Sequence, residues 1–510
     1  MAGFSNKVGC YKMRNNFVLA ILLLLSIQCY SQRQDRIWVF RDSSGIDFNN
    51  LSSPILFNSN VNNNTENHSC ISDTSGQLLF YLNGRNPMHP DLLRICDRNG
   101  NTMLNGDSLF TDYTQTQGSV IIPFPSLPQH YLVIYEQFWS ASQNGFPYGI
   151  FYSVVDMTQN GGLGKVVSKN QPIVNHQIFS EKIAAVRHAN GRDWWVLAHG
   201  LGDNHFYEFL VDPAGIHGPY SQNIGTLVAD TTLYYAYDGQ MKFSSDGERL
   251  LYVNGEGICD VFDFDRCSGI LSNLLALGDT STDHAGPFRF YGCEFSSDRN
   301  RAYASTYNLD NGVFEYLYQW DLSAANVPAT RTVVWQMDNT TCSFAQMKLG
   351  PDGKIYILNF VHPSGYACAH HLHVINQPDS LGMACNLGQD QISVGNHFVM
   401  GGLLNIPNYN LGALTGSSCD TLGTGITGFV AQTPINLYPN PARNRLTIES
   451  GGQIPEGSIH IMDLTGREVL SQEAEGEKAM VLNIDGLAPG IYFLHVRSSA
   501  GSIVRKFVKE

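Results

Sequence analysis

The chain has 510 residues, more than one ordinary domain holds, so two or more domains are expected. Charged residues make up 15% of it, against about 25% in average proteins, while 49 glycines and 11% aromatic residues suit an exported β protein rich in turns. The net charge of -14 argues against a nucleic-acid partner, which needs a basic face that no run of this sequence supplies.

At the N-terminus, Lys7, Lys12 and Arg14 precede the apolar run Phe17–Ile27 and then Cys29-Tyr30-Ser31 before Gln32, the order of a secretory signal peptide. Residues 1–31 are expected to be that signal, with a start at Met13 giving the more compact version, and export begins with transfer to the periplasm. The run is too short to span a bilayer. Lipid attachment at Cys29 is the competing reading, but Ser26-Ile27-Gln28 lacks the small residues such a site favours. No later stretch is long and apolar enough for a transmembrane anchor.

Residues 32–411 read as a β-propeller. Residues 240–269, QMKFSSDGERLLYVNGEGICDVFDFDRCSG, contain one blade: apolar strands separated by an Asp246-Gly247 hairpin turn and a Gly-terminated turn at Gly269. The turn after each inner strand recurs at Gly76, near Pro128, and at Gly191, Gly247, Arg299 and Gly353. An acid or amide ends the third strand at Asp97, Asp156, Asp212, Asp265, Asp321 and Asn376. Both ladders step by about 55 residues, somewhat longer than familiar propeller repeats. Extending them predicts seven blades, the last built from Ile37–Phe57 together with a C-terminal strand over Gly402–Ile406, which would leave no open sheet edge. The ladder acids suggest acid/base chemistry at first sight. Turn residues follow each one, so an Asx side chain bonding its own turn is the expected role.

His370, His371 and His373 follow Cys368, and His371 and His373 would share a strand face, yet no ligand spacing of a known metal site accompanies them; no metal and no cofactor is expected. His188 and His199 flank a hairpin and read as strand residues. No GxSxG, HExxH or phosphate-loop motif proposes an enzyme class. Of eleven cysteines, two lie in the signal, and the remaining odd number leaves at least one unpaired, expected to be Cys419. Cys259 and Cys267 lie too far apart along a straight strand to pair. Cys368 and Cys385 flank the turn at Gln377–Ser380 and are expected to form a disulfide.

Loops preceding the inner strands converge on a propeller's axis. Glu66, His68, Gln117, Glu181, Lys182, Asp238, Gln240, Tyr291 and Gln346 are therefore expected to form a polar ring at the axial entrance. Such a ring suits a bound ligand and equally a solvated channel. Residues 412–433, rich in Gly, Thr and Ser, read as a flexible linker.

Residues 434–510 alternate with period two over Arg445–Ile448, Ile459–Met462, Met480–Ile484, Tyr492–Val496 and Ile503–Val508, which predicts a small immunoglobulin-like β-sandwich. The segments NLYPNPARNRLTI, IMDLTGREVL, LAPGIYFLHV and VRKFVKE resemble the type A C-terminal sorting domain of the type IX secretion system of Bacteroidetes. The motif positions are Tyr438, Pro439, Asn440, Pro441, Asp463, Gly466, Pro489, Gly490, Tyr492 and Lys506. The resemblance implies the type IX machinery as partner and a secreted or outer-membrane-surface destination, with the domain removed by cleavage between about Leu414 and Thr433. The blocks IWVFRDSSGIDF, YSVVDMTQNGGLG, EKIAAVRHANGRDWWVLAHG and LGPDGKIYILNF likewise resemble a family of propeller-like secreted Bacteroidetes proteins, which implies no catalytic residues. The expected function is a secreted or surface binding propeller for a glycan, a protein or a surface. The alternatives are a hydrolase or lactonase-like enzyme acting at the axial entrance, with Glu181 at its centre, and a purely structural surface protein.

Overall fold

The computed structural model describes residues 32–510 apart from 41, 60–65, 85–91, 113, 139–146, 228–235, 279–288, 308–313, 339–341, 362–369, 398, 400–401, 421–434, 451–456, 464–467, 475 and 499–500. The expected signal peptide, Gly466 and Cys368 lie outside the described residues. The chain divides into two compact units, 1–421 and 422–510.

The first unit is all-β and propeller-like. Seven antiparallel meanders follow one another: sheet 1 over Ile37–Asn58 with three strands, then four-stranded sheets 2 to 7 over Cys70–Asp112, Ser119–Asn175, Phe179–Asn223, Met241–Ala276, Phe290–Asp338 and Cys342–Ser393. Sheet 5 shows why the sequence folds this way. Met241–Phe243 pairs with Arg249–Val253 across a turn in which Asp246 Oδ1 accepts the Glu248 N–H and Gly247 takes a φ of +75°, a conformation that a side chain opposes. Arg299 occupies the equivalent turn of sheet 6 at φ +67°. The fourth strand, Leu271–Ala276, is largely exposed, whereas the three before it are buried. Neighbouring sheets share cores, as where Trp195 and Phe206 of sheet 4 meet Leu250 and Phe262 of sheet 5.

The ladder of strand-ending acids forms Asx turns. Asp97, Asp156, Asp212, Asp265 and Asp321 each accept the backbone N–H two residues on, at 2.7–3.0 Å. Asn376 departs from the pattern, its amide donating to Asn386 O and Gln391 Oε1.

Four expectations change. Ile37–Val39 pairs with Ser44–Asp47, but Leu404 makes its parallel bridge with His68, just ahead of sheet 2, where the Asn405 N–H reaches His68 O at 2.8 Å. The linker does not begin at 412: Arg266 donates to Gly412 O at 2.7 Å and Leu414 N–H to Ala189 O at 2.8 Å. Cys419 is not unpaired. Because the chain folds back along the turn of sheet 5, its Cα comes within 5.7 Å of Cys267 and the two form a disulfide. Cys385 carries a free, buried thiol rather than a bridge to Cys368. The physical reason is register: Ile375 faces Leu387, so Cys385 falls opposite Gln377, whose N–H it accepts at 2.9 Å, inside the turn.

The second unit pairs two antiparallel sheets, Ile435–Tyr438 with Arg445–Ser450 and Ala479–Asn483, and Glu468–Ala474 with Gly457–Met462, Gly490–Ser498 and Gly501–Lys509. Leu446, Ile448 and Leu482 from one sheet and Ile459, Ile461, Leu494 and Phe507 from the other form a single core. The first and fourth of these seven strands, Ile435–Tyr438 and Glu468–Ala474, were not legible in the period-two pattern. Among the described residues no helix is long and apolar enough to cross a membrane.

Candidate functional site

The predicted ring residues do converge, but in two layers with different chemistry. The inner layer is a belt of amides that fills the axis. Gln117 Nε2 donates to Met241 O (2.7 Å), Ile183 O (3.0 Å) and Asn405 Oδ1 (3.2 Å). Gln240 Oε1 accepts the Cys293 and Met347 N–H groups, and Gln346 Nε2 donates to Thr116 O at 2.5 Å. Asn405 Nδ2 completes the belt by donating to Ser119 O and Ile183 O at 2.7 Å each. Gln117, Gln240 and Gln346 are at most 2% exposed, so this belt is a satisfied polar core rather than a solvated channel. His68 is likewise buried and carries the backbone bridge to Leu404.

The outer layer holds the ionisable groups. Glu181 and Lys182 lie in the strand Phe179–Arg187, whose pairing skips register between Phe179 and Ile183. Glu181 sits there at φ +54°, a conformation that costs a non-glycine residue about 1–3 kcal/mol and concentrates at functional sites. Its N–H points to Glu136 Oε1 at 3.4 Å, and its Oε2 accepts the Thr116 N–H at 3.3 Å. Lys182 Nζ donates to Tyr237 O (2.7 Å) and Ser180 O (2.9 Å) and lies 5.2 Å from the Tyr252 ring centre. The Tyr307 hydroxyl donates to Asp238, and the Tyr291 hydroxyl donates to Glu66 Oε2 at 3.2 Å. The two tyrosine rings meet edge to face at 5.1 Å.

Burial pushes the charges of Glu136, Glu181, Lys182 and Asp238 towards neutrality. It raises the Glu136 carboxyl to about 8 and the Asp238 carboxyl to about 6, and lowers the Lys182 ammonium to about 8. Glu181 is raised well above the usual range by burial first, then by the charges of Asp238 and Glu136. Such a cluster can donate and accept protons near neutral pH. Glu66 and Asp238 are half-buried, whereas Glu136, Glu181 and Lys182 lie beneath them.

Sequence reasoning missed Glu136, Tyr307 and Asn405. For Glu136 a signal exists: a polar residue interrupts the end of an apolar second strand at Asn83, Glu136, His199, Asn254 and Asn359 alike, and all five are buried. Of the histidines considered for metal binding, His370 Nδ1 faces His397 O at 2.8 Å. His373 Nε2 faces Asn359 Oδ1 at 2.8 Å while its Nδ1 accepts the Asp390 N–H at 2.9 Å, and burial lowers its pKa to about 4. His188 Nε2 faces Cys267 O at 2.9 Å.

In the second unit, the motif residues clamp the final strand. Asn440 Oδ1 accepts the Val508 N–H at 2.9 Å, and Ala442 exchanges backbone hydrogen bonds with Val508 and Glu510. Tyr492 stacks on Phe507 and its hydroxyl donates to Ala488 O at 2.8 Å, bracketing Pro489 and Gly490, while Tyr438, Pro439, Pro441 and Lys506 are exposed. Asp463 follows the strand Gly457–Met462 and is half-buried.

Among solved structures, the chain is similar to a putative 6-phosphogluconolactonase from Bacteroides uniformis, at 14% identity over 72% of this chain and 98% of that one, with a TM-score of 0.42. It is also similar to the periplasmic gluconolactonase PpgL of Pseudomonas aeruginosa (12% identity, 79% and 99% covered, TM-score 0.36) and to the β-propeller domain of Cps50 (Swd1) from Myceliophteria thermophila (12%, 65% and 94%, 0.34). A comparison with curated proteins finds no match. Residues 436–510 match the family described as the secretion system C-terminal sorting domain, so this propeller-like chain ends in a sorting domain.

Proposed function

We propose that this protein is an exported binding propeller that takes a neutral, hydroxyl-rich ligand such as a glycan at its axial entrance. In this reading a signal peptide over 1–31 delivers it to the periplasm. The sorting domain then carries it through the type IX secretion system to the surface or medium, and cleavage falls within 421–433. The seven successive sheets support a ring of seven blades. One observation carries the ligand class: the two half-buried acids at the entrance, Glu66 and Asp238, are each oriented by a tyrosine hydroxyl, of Tyr291 and Tyr307 respectively. Carboxylates held in place in this way accept hydrogen bonds from a ligand's hydroxyls. A glycan array probed with the mature protein tests it, followed by titration of the retained glycan into Asp238→Asn and Glu66→Gln. The expected loss is about tenfold for each, one hydrogen bond's worth of affinity. An array that retains nothing, or affinity unchanged in both variants, would count against it.

A hydrolase reading draws on the same cluster, because an acid that keeps its proton at neutral pH is what leaving-group protonation needs. Turnover of lactones or glycosides that is lost in Glu181→Gln would favour it. No turnover across such a panel, with binding intact, leaves the binder.

A further inference from the structure

Beyond the amide belt, the inner strands run on from Gln240 to Lys242 and from Gln346 to Lys348, and there they line a cavity of about 310 Å3 whose walls include none of the outer-layer residues. The axial segment closes one side through Asn405, Ile406, Asn408 and Leu411. Three cations, Arg36, Lys242 and Lys348, face two acids, Asp35 and Glu294.

Hydrogen bonds account for most of this charge but not all of it. The Glu294 carboxylate is held by the Phe295 and Leu349 N–H groups at 3.0 and 2.8 Å. Lys348 Nζ donates to Ile406 O at 2.7 Å, which leaves it two further protons. Arg36 donates to Phe48 O at 3.1 Å, and its Nε lies 3.6 Å from Asp35 Oδ1. Lys242 is different. It is 5% exposed, and among the described residues its ammonium has neither a hydrogen-bond nor an ion-pair partner. Burial and then Lys348 push it down to about 8, against the opposing pull of Glu294 and Cys293. Its ammonium nitrogen keeps access to the cavity, and an anion seated there would pair with a charge that the surrounding protein otherwise desolvates without a hydrogen bond.

We propose that this cavity binds a small organic anion, with its carboxylate or phosphate group on Lys242 and Lys348 and its carbon skeleton against Trp38, Met241 and Ile406. The volume lies at the small end of ligand pockets, which begin near about 300 Å3, and so limits the guest to a compact molecule. The site is independent of the proposed glycan site, because the hydrogen-bonded belt of Gln117, Gln240, Gln346 and Asn405 lies between them.

Isothermal titration of the mature protein with inorganic phosphate and with citrate tests the proposal. At least one probe should bind, at least tenfold more weakly to Lys242→Met, and with unchanged affinity to Asp238→Asn. Lys242→Met should melt close to the parent, since it removes a desolvated ammonium that no hydrogen bond holds; if it does not fold, Lys242→Gln supplies the same comparison. Absence of binding by both probes at millimolar concentration, or equal affinity in parent and Lys242 variants, would overturn the assignment, whatever the glycan experiment returns.

Discussion

Burial lifts the Glu136 carboxyl from 4.5 to about 8 and the Asp238 carboxyl from 3.8 to about 6. A folded-state pKa above the unfolded value means that the native state binds the proton more tightly, so this contribution to stability is complete below about pH 4 and is lost as pH rises through 6 and 8. Lys182, lowered from 10.5 to about 8, runs the other way, but it is charged in both states below pH 7 and leaves the slope there to the acids. The melting temperature should therefore fall between pH 5 and pH 8. Glu136→Gln should flatten the fall and raise stability at pH 8 by about 1–3 kcal/mol, since Glu136 Oε2 is buried without a partner among the described residues. Thermal melts of both proteins across that range check it; parallel curves would show that Glu136 stays charged. The ring was legible at this scale because inner-strand starts converge in any propeller. Its division into an amide belt and an acid cluster was not, because that depends on side-chain depth: Gln240 and Asp238 are neighbours in sequence yet belong to different layers.

Elements set by local chemistry were read well and those set by distant contacts were not. The Asp246-Gly247 turn and the Asx turns at Asp97 or Asp321 are decided within a few residues, so their spacing alone located the strands. The segment after Leu403 looked like a last strand and then a linker, because nothing local says that Asn405 bonds Ser119 and Ile183 or that Tyr409 donates to Ile121 O. The Cys267–Cys419 bridge spans 152 residues and lies in the same blind spot. Cross-links of this kind contribute about 2–4 kcal/mol, mainly by restricting the unfolded chain. Cys419→Ser is expected to lower stability by that amount in non-reducing buffer and to make the melt insensitive to added reductant. A variant that melts with the parent under oxidising conditions would mean that the bridge is not formed in the exported protein.

On the scale of the whole molecule, the chain joins a propeller-like unit to a sorting domain. The tail was the most legible part of the sequence: its four segments lie in order within 434–510, and the family match covers 436–510. Two of its motif residues hold its own final strand, Asn440 through the Val508 N–H and Tyr492 by stacking on Phe507. The most direct test is to express the full-length protein and a version ending at Thr433 in a host that carries this secretion system, fractionate the cells, and titrate each recovered propeller with the same glycan. The shortened protein should stay in the periplasm and bind as tightly as the full-length one. If it reaches the surface or medium as efficiently, or binds more weakly, the division between propeller and sorting domain is wrong.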